Sequence, residues 1–320
     1  MGAIRGKGPG HFYGGLVPER ISMKATKKIW LALIGAAPLI IAAPGLASAA
    51  GGAPSATHHS YVPASGSLRH TLPLAHPAHP FRTHPLQRGP KFNLVKSNNW
   101  SGFATYGDHF RFASATYTIP SLNCAISPDG SFDSEWVGLD GYTSNTVEQA
   151  GNYAVCSGGT PSYFAFYEMF PSASVSFSGV SPGDSITVSV FFTGSQWTLS
   201  LVDNTNGAEG FTTTQSCPSG STCRNANAEI ISETPNGGPP STSLADYGIV
   251  GFTHIAITDT ASHHFNIFSP DWKNDKISEY NLSVSHGDLM QAPSTLEGAV
   301  SGSGGGPGNQ AFTVTAVNAN

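Results

Sequence analysis

A chain of 320 residues with only 11 % charged residues, 37 Gly and 23 Pro has no long helical stretches rich in Ala, Leu, Glu and Lys, and this composition favours an all-β protein. Its charge is split: residues 1–90 carry nine Lys and Arg against a single acid, Glu19, whereas residues 91–320 carry six against nineteen acids. So acidic a body lacks the basic footprint of a nucleic-acid binder, and its self-repulsion falls as carboxylates protonate near pH ~4.

In chain order, Lys24, Lys27 and Lys28 precede an apolar run from Ile29 to Ala43, and Ala47-Ser48-Ala49 follows with the small-x-small form that signal peptidase cuts. Residues 1–49 are therefore expected to be an N-terminal extension plus secretory signal peptide, starting at Met1 or Met23. Pro38 and Pro44 interrupt the run and no second apolar stretch approaches ~20 residues, so no membrane anchor is expected after signal cleavage. Residues 50–90 contain no acid but hold His58, His59, His70, His76, His79, His84, three Arg and seven Pro. Such a segment cannot build a core, and its charge opposes that of the body. It is expected to be a disordered basic propeptide that inhibits its own chain, leaving residues 91–320 as the folded domain.

Within that domain Ile186, Val188, Val190 and Phe192, then Trp197, Leu199 and Leu201 after the Gly194-Ser195 turn, alternate with polar residues and predict a hairpin of half-buried strands. Further strands are expected near 100–105, 110–119, 132–140, 162–170, 208–215, 226–233, 246–258, 276–285 and 310–317. About a dozen short strands at that spacing predict an antiparallel two-sheet β-sandwich or jelly roll. The Gly-rich stretch 301–308 is expected to be a loop. All four cysteines lie in this domain, which in an exported chain points to two disulfides. Cys217 and Cys223 flank a turn-like Pro-Ser-Gly-Ser insert and form the easy local pair, which leaves Cys124–Cys156.

Period-two alternation also sorts side chains by face. Phe164, Phe166, Glu168 and Phe170 share one, Trp136 and Asp140 another, and Glu229, Ile231 and Glu233 a third. A carboxylate among aromatic rings is costly unless paired or functional, so these acids are expected on inward faces. Gly179-Val180-Ser181-Pro182-Gly183 matches the GxSxG hydrolase pattern, but no helix follows it and Pro182 has no N–H for an oxyanion hole, so it reads as a hairpin turn. His254, His263 and His264 lack HExxH spacing and the cysteines lack CxxC spacing; no metal or other cofactor is expected.

From Asn99-Trp100-Ser101-Gly102 to about residue 317 the chain resembles the eqolisin family of glutamic peptidases. The resemblance rests on Trp136-Val137-Gly138-Leu139-Asp140-Gly141 with Gln149-Ala150-Gly151 downstream, Phe166-Tyr167-Glu168-Met169-Phe170-Pro171, Gly183-Asp184-Ser185-Ile186, and Asn227-Ala228-Glu229-Ile230-Ile231-Ser232-Glu233. It implies a sandwich of two antiparallel sheets and a secreted acid endopeptidase whose catalytic pair is Glu233 and Gln149. Trp100, Trp136, Asp140, Glu168 and Glu229 would line the substrate cleft. It also implies protein or peptide substrates and a basic propeptide removed in acid; a monomer is expected. Two departures stand out: Ser144 replaces a Cys that fungal members often carry after the Asp-Gly, and Phe166 replaces a favoured Trp.

Two other readings compete. A retaining glycoside hydrolase needs two carboxyls about 5 Å apart. Glu229 and Glu233 are about 13 Å apart along a strand, although Glu168 could complete a pair. A carbohydrate-binding module could use Trp136, Phe164 and Phe166 as a sugar platform, but it would have no use for a propeptide.

Overall fold

The computed structural model describes residues 92–207, 210–236, 238, 241–261, 264–265, 272–285, 287–296 and 310–319. The expected leader, propeptide and 301–308 loop lie outside them. The described residues form sixteen strands and no helix. They are β1 Asn93–Ser97, β2 Trp100–Tyr106, β3 Phe110–Thr118, β4 Phe132–Leu139, β5 Val147–Ser157, β6 Thr160–Phe170, β7 Val175–Phe177 and β8 Ser185–Phe192. The others are β9 Trp197–Asp203, β10 Gly210–Gln215, β11 Asn227–Glu233, β12 Ile249–Asp259, β13 His264–Phe265, β14 Lys273–Asn281, β15 Asp288–Pro293 and β16 Phe312–Ala316.

Hydrogen bonding runs unbroken through β10-β9-β8-β3-β12-β16-β15-β14-β2-β11-β4-β5-β6-β7, with β13 on β12 and β1 added parallel to β14. Every other pairing is antiparallel. The ribbon folds back on itself, so that β3 lies against β4 and β11, and β8 and β9 against β5, without sharing hydrogen bonds. That fold-back makes two layers, the expected sandwich. The predicted β8–β9 hairpin is present, with Ile186 opposite Asp203 and Phe192 opposite Trp197. Its apolar positions Ile186, Val188, Val190 and Leu199 are fully buried while the alternate Ser and Thr face outward. Each such aliphatic side chain contributes roughly 1.5–3 kcal/mol of burial.

The main core between the layers joins Val137, Leu139, Ile230, Phe252 and Phe312 to these residues. Phe252 stacks on Phe312 at 5.0 Å and Phe103 meets Phe312 edge-on at 4.7 Å. Both predicted disulfides are formed, Cys124–Cys156 and Cys217–Cys223, and no described cysteine is free. The GxSxG segment connects β7 to β8 as a turn in which Asp184 Oδ2 accepts the Ser181 N–H at 2.7 Å.

Candidate active site

The site lies on β11, β4, β5 and β6, on the side of this layer facing away from the main core. Alternation sends Val137, Leu139, Ala150 and Ile230 into that core and Trp136, Phe166 and Ile231 to the opposite side. The face groupings read from the sequence hold, but the direction does not. Glu168, Glu229 and Glu233 do not point between the sheets; they belong to a second buried cluster built on Trp100, Trp136, Tyr153, Phe166 and Ile277. Aromatic rings bury the outer face almost as completely as the sandwich buries the inner one.

Strand register arranges the polar groups in rows. Glu229, Gly138, Gln149 and Glu168 lie side by side across β11, β4, β5 and β6. The next row is Ile231, Trp136, Gly151 and Phe166, and the row after it holds Glu233 and Ser134. The indole of Trp136 spans these rows. Its Nε1 donates to Glu233 Oε2 at 2.8 Å, while its six-membered ring lies over Gly138, where a Cβ would sit 2.9 Å from Trp136 Cζ3 and 3.4 Å from Gln149 Cβ. A Cβ at Gly151 would be 2.0 Å from the Glu135 carbonyl oxygen and 2.8 Å from Trp136 Cβ. Glycine at both positions is what lets the ring lie flat between the carboxylate and the amide.

The second oxygen of Glu233 accepts Asn99 Nδ2 at 3.1 Å. Asn99 sits between β1 and β2, where Ser97 Oγ donates to its Oδ1 at 3.2 Å and accepts the Asn99 and Trp100 N–H groups at 3.3 and 3.1 Å. Trp100 packs edge-on against Trp136 with centroids 4.9 Å apart. Gln149 Nε2 donates to Glu168 Oε2 at 2.7 Å, and its buried Oε1 has no protein partner. Glu168 thereby fixes the amide plane, leaving a second N–H and a carbonyl oxygen to engage a bound molecule.

The remaining predicted residues have other surroundings. Asp140 lies at the end of β4 at φ 67° and accepts the Arg224, Asn225 and Ala226 N–H groups at 2.6, 2.7 and 2.8 Å and Ser144 Oγ at 2.9 Å. Its carboxylate ties the Cys217–Cys223 loop to the sheet, so any effect on substrate runs through that loop. Ser144, at the position where fungal members often have Cys, becomes part of this tie. Glu229 is fully buried with neither oxygen hydrogen-bonded; burial first, then the charges of Asp140 and Glu148, push its carboxyl well above the usual range. It lies in the Gln149 row. Sequence reasoning did not single out Asn99 or Ser97 as site residues, although Asn99 opens the first block of the resemblance.

The fold and this constellation define a class: a β-sandwich that sets a donor-held carboxyl and an oriented amide on one buried face. The model of the Peptidase A4 family matches residues 98–285, and the chain belongs to that family, the eqolisins. It is a glutamic-type peptidase, a hydrolase of peptide bonds. It is similar to aspergillopepsin-2 of Aspergillus niger, 31 % identical over 191 residues that cover 53 % of this chain and 67 % of that protein. It is also similar to scytalidopepsin B of Scytalidium lignicola, 37 % identical over 159 residues, 49 % of this chain and 57 % of that protein. The chain thus spans little more than half the length of scytalidopepsin B. Scytalido-glutamic peptidase, solved with a transition state analog inhibitor, superposes with a TM-score of 0.52 at 25 % identity, covering 69 % of this chain and 98 % of that one. The same enzyme with a peptide-based transition state analog gives 0.50 at 24 % identity with the same coverage, which shows the shared sandwich.

Proposed function

We propose that this chain is a secreted acid endopeptidase in which Glu233 is the general base and Gln149 the oxyanion donor. The observation that carries this reading is the anchoring of both Glu233 oxygens by Trp136 Nε1 and Asn99 Nδ2, with the Trp136 ring extending to the Gln149 row. Glu233 takes a proton from water as the water oxygen bonds to the scissile carbonyl carbon. An N–H of Gln149 stabilises the oxyanion that forms, a role an amide fills at any pH. As the carbonyl re-forms and the C–N bond breaks, the proton held by Glu233 passes to the leaving nitrogen, which regenerates the carboxylate. Near pH ~4 a carboxylate is a better-matched base than histidine, which is then protonated.

Secretion and latency rest on the signal-like residues 1–49 and the basic residues 50–90. The propeptide would bind the acidic domain at neutral pH and leave as carboxylates protonate below about pH 4.5. The decisive experiment is Glu233→Gln, with the propeptide cut externally, on denatured protein at pH 4. Activity near background with an unchanged fold is expected; digestion at the wild-type rate would refute the assignment.

A further inference from the structure

At the Asp140 end of the catalytic face the connection from β4 to β5, Pro171 after β6, and the Cys217–Cys223 loop enclose an open cleft of about 450 Å³. Thr143, Thr146, Ser221 and Thr222 bring hydroxyls to its wall, and Arg224 brings the cation. The backbone of Arg224 is fixed, because its N–H is held by Asp140 at 2.6 Å and its carbonyl by His109 Nδ1 at 3.1 Å. Its side chain is exposed, and among the described residues no ion pair engages its guanidinium. Among the other described cations, Lys96, Arg111 and Lys273 lie over aromatic rings. Among the described residues no carboxylate lines the cleft wall, and that of the adjoining Asp140 is taken up by backbone N–H groups and Ser144. A donor-rich, acid-free wall with a fixed arginine suits a carboxylate ligand.

The cleft adjoins the reacting groups. Thr146 is three residues before Gln149 on the same chain, and Pro171 three after Glu168. At ~3.3 Å per residue that is about 10 Å, the span of three residues of extended substrate. We infer that this cleft is a specificity subsite in which Arg224 binds an acidic side chain of the substrate, about three residues from the bond that is cut. The inference rests on the peptidase reading above. It goes further by giving a chain that works in acid a preference that depends on pH. Arginine stays charged throughout, whereas a glutamate side chain of ordinary pKa, ~4.3, is mostly neutral at pH 3 and mostly ionised at pH 5.

The test uses acid-processed full chain and paired peptides, acetylated and amidated so that the only carboxylate is the one varied. Glu or Gln is placed three residues to either side of the cleavage site. The Glu/Gln ratio of kcat/KM is measured at pH 3 and pH 5. Asp140, Glu148, Glu229 and His109, which surround the Arg224 backbone, act on both peptides of a pair alike, so the ratio isolates the substrate carboxylate. On one side of the cleavage site the ratio should rise from near 1 to about 5 in the wild type, through KM, and stay near 1 in Arg224→Gln at both pH values. Arg224→Lys should keep part of the rise. Cleavage of both peptides with a flat ratio on both sides, or a rise that survives in Arg224→Gln, overturns the subsite alone. Failure to cut either peptide overturns the peptidase reading and the subsite with it.

Discussion

The two faces of the β4–β5–β11 layer both bury carboxyl groups, and Glu233 on one has different neighbours from Asp133 and Glu135 on the other. On the outer face Glu233 receives an indole N–H and an amide N–H. On the inner face, one residue along the same strands, Asp133 and Glu135 lie against each other. Burial and then the charge of Glu135 push Asp133 well above the usual range; burial also raises Glu135, against the pull of hydrogen bonds from Asp133 and Asn152. Ser232, Tyr247 and Gln291 link this polar interior to Glu279, which burial raises to about 8, with the charge of Glu233 adding to the rise. Donors around a carboxyl stabilise its charge, and other carboxyls around it keep it neutral. The outer face thus sets the donor-held Glu233 on the same strand as Glu229, which has no donor, while the inner face gathers Asp133 and Glu135 against each other.

The largest effect should come from the outer face. Gln149→Ala removes the proposed oxyanion donor and should lower kcat by about 100- to 1,000-fold with a smaller change in KM, read from initial rates at pH 4. A change of less than about tenfold would place the donor elsewhere.

The buried carboxyls raised on both faces predict a pH dependence of stability. Asp133, Glu135, Glu148, Glu229 and Glu279 all have folded-state affinities for protons above those of free carboxyls. Their contribution is fully present below the unfolded value near pH ~4 and is lost as pH rises through the folded value, about 8 for Glu279. Melting temperature should therefore fall steadily from pH 4 to pH 8. Glu279→Gln keeps the shape without the ionisation and should return roughly 3–5 kcal/mol at pH 8 while changing little at pH 4. A melting temperature that rises with pH would contradict this reading of the interior.

A smaller contrast separates the disulfides. Cys124–Cys156 closes a span of 32 residues within the main core, and Cys217–Cys223 a span of 6 packed against that core. Chain entropy gives about 4 and about 2 kcal/mol, so replacing the first pair with Ala should lower the melting temperature more than replacing the second.

Much of this comparison was legible in the sequence, but unevenly. The β8–β9 hairpin could be read because one face is wet, so Ser and Thr alternate with Ile and Val. Strand β5, which carries Gln149, could not be read that way. Nearly all of its residues from Val147 to Cys156 are buried, and alternation fades when both faces are dry. Only the Gln-Ala-Gly match marked it. The same loss of contrast made the acids of β6 and β11 look as though they faced the sandwich interior. Asn99 was hidden for another reason: its role comes from the bend between two strands that brings it to Glu233 across 134 residues. No local pattern encodes that approach.

Gly138 and Gly151 give alanine scanning an unusual meaning in this molecule. At most sites alanine deletes atoms and asks what they did. At these two it adds a methyl into space already filled by Trp136 and the β4 backbone, so the disturbance spreads outward from a residue that itself touches no substrate. The ring would be lifted and the N–H drawn off the Glu233 carboxylate, so the surroundings of Glu233 are set by two side chains the chain does not have.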